Sequence, residues 1–114
     1  MTTAPFDQHD LLERVGHSLD AAREVRNAFL AEVPPRLDVL TRALAAEDAP
    51  AVRLVAHSIK GAAMDLGAKR LAGAAAAVEH AAQAGDFAAA RAAAPSVAEA
   101  FVELADALRR AFPH

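Results

Sequence analysis

Asp48-Ala49-Pro50-Ala51-Val52-Arg53-Leu54-Val55-Ala56-His57-Ser58-Ile59-Lys60-Gly61-Ala62-Ala63-Met64-Asp65-Leu66-Gly67 is the stretch that decides the fold. Val52, Val55, Ala56, Ile59, Ala63 and Leu66 recur at the helical period and line one face. Asp48 is placed to cap the first turn and Gly67 to end the last. The opposite face carries Arg53, His57, Lys60, Gly61 and Met64. Gly61 is the anomaly on that face. An interior glycine costs roughly 1 kcal/mol relative to alanine, and this chain uses alanine freely elsewhere. Four residues after His57, Gly61 clears space one turn from the imidazole, and Lys60 adds a cation at the edge of the clearing.

The same period extends outward in both directions. Before the stretch, residues 5–15 read as a short amphipathic helix ending at Gly16. Ser18 can cap a second helix carrying Leu19, Ala22, Val25, Phe29 and Leu30. Pro34-Pro35 interrupt it and Leu37, Leu40 and Leu44 resume it, so a kinked helix or two abutting helices are expected. After the stretch, Leu71, Ala75, Val78 and Ala82 mark a fourth amphipathic segment up to Gly85. Asp86 caps the last helix, with Phe87, Val97, Phe101, Leu104 and Leu108 inward and Pro95 expected to bend it or split off its first turns.

Short connections between long amphipathic helices force antiparallel neighbours. The expected architecture is all-α: an antiparallel up-down-up-down four-helix bundle over residues 18–112, with a short extra N-terminal helix, in a single domain of residues 1–114. The composition agrees, with 54% apolar residues, many of them alanine, and only 4% aromatics, too few for a sheet. A net charge of -3 leaves no basic footprint for nucleic acid. No cysteine is present, which removes disulfides and thiolate metal sites. The N-terminal residues lack the basic and apolar regions of a leader, and no apolar run approaches the roughly 18 residues of a membrane span. A soluble cytoplasmic protein is the expectation.

The chemistry available at His57 is nucleophilic. Neutral imidazole, with an ordinary pKa of about 6.5, can attack an activated phosphoryl group to give a phosphoramidate reactive enough to pass it onward. Such a transfer needs positioning and neutralisation of charge on the equatorial oxygens, which Lys60 can begin to supply. No glycine-rich nucleotide loop is present, so the chain cannot energise the histidine from ATP by itself.

At these residues the sequence resembles a histidine-containing phosphotransfer (HPt) domain of bacterial multistep phosphorelays. The signature His-x-x-Lys-Gly followed by Leu-Gly is met by His57, Lys60, Gly61, Leu66 and Gly67. The turns Ala45-Ala46-Glu47-Asp48 and Gln83-Ala84-Gly85-Asp86 match the family's usual ones. The resemblance implies a phosphocarrier rather than an enzyme. His57 would accept a phosphoryl group from a receiver-domain aspartate, such as that of a hybrid kinase, and donate it to an aspartate of a response regulator. Lys60 would hold the group, and Arg53, Ser58, Gly61, Met64 and Gln83 would belong to the face that docks the receiver. No cofactor is implied beyond Mg²⁺ on the partner, and a monomer is expected. Asp65 stands where many members have Asn, and Gln83 where a basic residue is frequent. Alternatives are the phosphoacceptor domain of a chemotaxis-type or other histidine kinase, or a non-phosphorylated helical adaptor on the same fold. Leu66-Gly67-Ala68 speaks against the chemotaxis type, where Gly-Phe is usual. For another sensor kinase, Ser58 stands where a carboxylate would act as base.

The remaining candidates have plainer readings. Glu79 and His80 are adjacent and point in different directions, so both are expected to be solvated. His9, His17 and His114 lie near ends or turns. Gly73 is expected to serve close packing between helices. Arg109-Arg110 suit the end of a helix dipole, and the acidic N-terminal segment is expected to cap one end of the bundle.

Overall fold

Five helices and no strand account for the regular structure of residues 4–114, which the computed structural model describes: α1 (Gln8–Arg14), α2 (Leu19–Ala45), α3 (Ala49–Asp65), α4 (Lys69–Gln83) and α5 (Phe87–Ala111). The expectation of no leader rests partly on residues 1–3, which lie outside this range. Three of the four long helices start on a capping side chain, and α4 starts at Ala68 without one. Ser18, Asp48 and Asp86 accept hydrogen bonds from the backbone N–H groups of Ala21, Ala51 and Ala89, which would otherwise lack partners at the first turns. Gly16, Gly67 and Gly85 end α1, α3 and α4 in the left-handed region at φ +62°, +64° and +71°. The N-terminal helix is shorter than residues 5–15, because Asp7 caps it through the Asp10 N–H and keeps Pro5 and Phe6 outside.

The four long helices pack as a ring, with α3 against α2 and α4, and α5 closing the ring onto α2. Their core is largely aliphatic: Val33, Leu40, Val52, Ile59, Leu71, Val78, Leu104 and Leu108 are buried among alanines. Phe29 and Phe101 meet across α2 and α5 with ring centroids 5.8 Å apart. The 27 residues of α2 span about 40 Å at 1.5 Å per residue and set the long axis of the molecule, 43 Å.

Neither proline site divides its helix. Helix α2 runs unbroken through Pro34-Pro35, and α5 through Pro95, so the abutting pair and the split first turns do not occur. All three prolines are exposed, on helix faces turned away from the core. Tertiary packing on both sides of each proline holds the helix together.

One end of the bundle is closed by α1 and the C-terminus. The Asp7 N–H donates to the Leu66 carbonyl at 3.0 Å, and Arg14 donates to the carbonyl of Asp65. Phe6 packs on Phe112, and Arg26 donates to the Phe112 carbonyl. Gly67 is indispensable to this arrangement, since a Cβ there would lie 2.7 Å from Asp7 Cβ. At the opposite end, Glu47 takes φ +52° in the α2–α3 turn. Arg91 clamps that turn from α5, meeting the Glu47 carboxylate at 2.7 Å and the Leu44 carbonyl at 3.3 Å.

Candidate functional site at His57

Helix α3 is oriented by what it buries. Val52, Val55, Ala56, Ile59 and Ala63 face the core, and this phase turns His57 outward with 66% of its side chain exposed. Gly61, one turn on, is exposed too, and a Cβ placed there would meet nothing within 4 Å. The glycine therefore has no packing reason inside the chain. Leu54 and Met64 flank this opening along the same helix, 72% and 65% exposed.

The neighbouring helix supplies the group that organises the site. Glu79 of α4 reaches across so that Oε2 lies 2.7 Å from His57 Nδ1 and Oε1 lies 2.6 Å from Lys60 Nζ. Its side chain is only 14% exposed, so this is not the solvated residue expected from sequence. His80 is exposed as expected. The Lys60 hydrogen bond, with a smaller contribution from His57, holds the Glu79 carboxyl below its ordinary value against the opposing effect of burial. An ionised carboxylate only accepts hydrogen bonds, so His57 Nδ1 carries the proton and donates it. The lone pair is left on Nε2. No described residue bonds to that nitrogen.

These features amount to an exposed imidazole of fixed tautomer, a cation three residues on and a bare glycine beside it, on a four-helix ring. A family model for the Hpt domain matches residues 24–111. This chain belongs to the Hpt domain family. Its structure superposes on the crystal structure of histidine-containing phosphotransfer protein B (HptB) from Pseudomonas aeruginosa PAO1 with a TM-score of 0.89 and 27% identity, covering 98% of this chain and 97% of that one. No curated protein sequence matches.

The Hpt domain distributes the other candidate residues unevenly. Arg53 is exposed on α3 one turn before His57 and has no ion-pair partner among the described residues. Ser58 is half-buried, and Gln83 is exposed at the last turn of α4. Lys60 does not stand free beside Gly61: its side chain is 26% exposed and turned toward α4. Asp65 is exposed at the end of α3. Gly73 is corrected most clearly. It lies exposed on α4, and a Cβ added there would meet nothing within 4 Å, so it packs against no helix.

Sequence reasoning missed Glu79 and Leu54. A signal for Glu79 was present, since it is the only acidic residue of α4 and directly follows the buried Val78, at the edge of the apolar stripe. Leu54 sits seven residues before Gly61, two turns away on the same exposed face.

Proposed function

We propose that His57 Nε2 accepts a phosphoryl group from the phospho-aspartate of one receiver domain and passes it to the aspartate of another. The single observation that carries this reading is the commitment of Nδ1 to Glu79, which leaves Nε2 of an exposed imidazole unbonded, one turn from a glycine whose Cβ position is empty. Phosphoryl transfer requires the donor oxygen, phosphorus and acceptor nitrogen nearly in line, so the partner must reach within a few ångströms of the ring. A side chain at position 61 would obstruct that approach.

Lys60 is the group that meets the negative charge of the incoming phosphoryl, and its bond to Glu79 keeps the ammonium poised within one helical turn of the imidazole. Mg²⁺ would come from the receiver. Arg53, Ser58, Gly61, Met64 and Gln83 form the docking face, and Leu54 extends it. The domain acts as a cytoplasmic monomer and depends on a separate kinase for its phosphoryl supply. Among the described residues no helix is long and apolar enough to cross a membrane.

Incubating the chain with a radiolabelled phospho-receiver tests the reading. Label that is acid-labile and alkali-stable should appear on the chain and vanish in His57→Gln. Label retained by that variant would place the acceptor elsewhere.

A further inference from the structure

Lys60 and Glu79 cancel each other's charge beside the acceptor ring. The ammonium lies 2.6 Å from Glu79 Oε1, so this cation has its anion before any phosphoryl group arrives. Arg53 has none. It is exposed on α3 one turn before His57 and joins no ion pair among the described residues. The acids of the two turns at this end of the bundle have other partners. Asp48 and Asp86 accept from the Ala51 and Ala89 N–H groups, and Glu47 pairs with Arg91. The antiparallel register that sets His57 beside Glu79 sets Arg53 beside Gln83, which is neutral. On these two helices the remaining lysine and arginine, Lys69 and Arg70, lie ten and nine residues before Glu79, at the far end of α4. We propose, on the phosphocarrier reading above, that Arg53 folds onto the phosphoryl group once it is on Nε2 and holds it there. Arg53 thereby sets how the group is shared between His57 and the receivers.

The charge balance of the transfer creates the need for such a group. The Nε2 lone pair attacks phosphorus, the N–P bond forms, and the acyl P–O bond breaks to release the receiver's carboxylate with the bonding pair. The ring, having given up a lone pair, becomes cationic, and the phosphoryl group it carries is a dianion. With Lys60 and Glu79 cancelling, the site passes from neutral to a single net negative charge. One further cation restores neutrality, and Arg53 is the unpaired one within a turn of the ring on α3.

The reach follows from helix geometry. Residues four apart on a helix have Cβ atoms about 5–6 Å apart. Helical side chains tilt toward the N-terminus, so the surface that the imidazole covers lies over the turn beginning at Arg53. A planar guanidinium presents paired N–H donors that match two phosphate oxygens at once, whereas an ammonium acts as a point charge. Lys60 and Arg53 would then meet the phosphoryl group from opposite ends of one helical turn.

Arg53→Gln removes the charge, and Arg53→Lys keeps it without the fork; both change an exposed position and leave the core untouched. Wild type and both variants, ¹⁵N-labelled at arginine, are phosphorylated with phosphoramidate, a small donor that needs no receiver. The Arg53 Nε–H signal in ¹H–¹⁵N NMR, identified by its loss from Arg53→Gln, should move on phosphorylation while the other arginine signals stay in place. The share of phosphoryl group on His57 at equilibrium is then measured against the receiver of the same genome that exchanges fastest. Docking contacts alone change how quickly this equilibrium is reached and leave its position unaltered. An exposed ion pair is worth up to about fivefold in an equilibrium, so Arg53→Gln should move the share toward the receiver by about fivefold and Arg53→Lys by less. The difference should shrink in about 1 M salt, where charges are screened within about 3 Å. An Arg53 signal that stays in place while His57 is phosphorylated would overturn the proposal. So would an unchanged share reached more slowly, since Arg53 would then be a docking contact only. If His57 takes label from phosphoramidate but exchanges with no receiver, the phosphocarrier reading fails, and the arginine signal still decides whether Arg53 holds the group. A His57 that takes label from neither donor overturns both.

Discussion

Gly61 and Gly67 stand six residues apart in one signature and do opposite work. Gly67 is enclosed: its backbone takes φ +64°, and a Cβ would collide with Asp7 where the N-terminal segment crosses the end of α3. Gly61 sits in ordinary helix with open space around it. Selection for the fold accounts for the first and says nothing about the second. A glycine with no internal neighbour, at a helix-interior position where alanine would be more stable, has its reason outside the molecule. On the phosphocarrier reading proposed above, that reason is the surface of the partner.

Substitution at each glycine should therefore separate stability from transfer. Gly67→Ala is expected to have the largest thermodynamic effect. The left-handed conformation costs a residue bearing a Cβ roughly 1–2 kcal/mol, and the overlap with Asp7 adds about 1–3 kcal/mol if the crossing must shift. Urea unfolding should show a loss of about 2–5 kcal/mol, while the folded fraction still transfers phosphoryl groups at His57. An unchanged midpoint would show that the Asp7–Leu66 crossing contributes little to the fold.

Gly61→Leu should reverse that pattern. The exposed helix position tolerates leucine and gains roughly 0.5–1 kcal/mol of helix propensity. Transfer from a receiver should fall about a hundredfold, the scale expected when reacting groups are held an ångström out of place. Labelling by phosphoramidate should persist, because that donor is small enough to reach Nε2 past the side chain. Normal receiver transfer in this variant would remove the partner-approach explanation and leave Gly61 without one.

The two glycines also mark how far the sequence could be read. Helix α3 was legible from end to end, because the Asp48 cap, the apolar period and the Gly67 stop are local features. So was the juxtaposition of His57, Lys60 and Gly61, which lie within one turn of the same helix. Glu79 was not legible. It lies 22 residues from His57, and its reach depends on how α3 and α4 are displaced along each other, which neither helix's own period specifies. The pairing with His80 then suggested a solvated residue. Pro34-Pro35 misled for a related reason: the local rule against interior proline is correct, but long packed helices on both sides of an exposed face outweigh it.

Gly73 supplies the smallest effect and the sharpest control. It lies two residues from both Leu71 and Ala75, about 200° around α4 from these core positions, and this phase explains why it contacts no helix. Like Gly61 it is an exposed, helix-interior glycine with empty space at the Cβ position. Gly61 lies one turn from His57, whereas Gly73 is not within one turn of the α4 residue that meets the imidazole, since Glu79 lies six positions further along. Gly73→Ala should raise stability by roughly 0.5–1 kcal/mol, the ordinary gain of alanine over glycine in a helix, and leave receiver transfer at the wild-type rate. Thermal unfolding and the transfer assay used for Gly61→Leu measure both. A rate that falls while stability rises would extend the partner's footprint along α4 and make Gly73 a second cleared position. A rate that holds confines the need for bare backbone to the turn beside His57, where the phosphoryl group must pass.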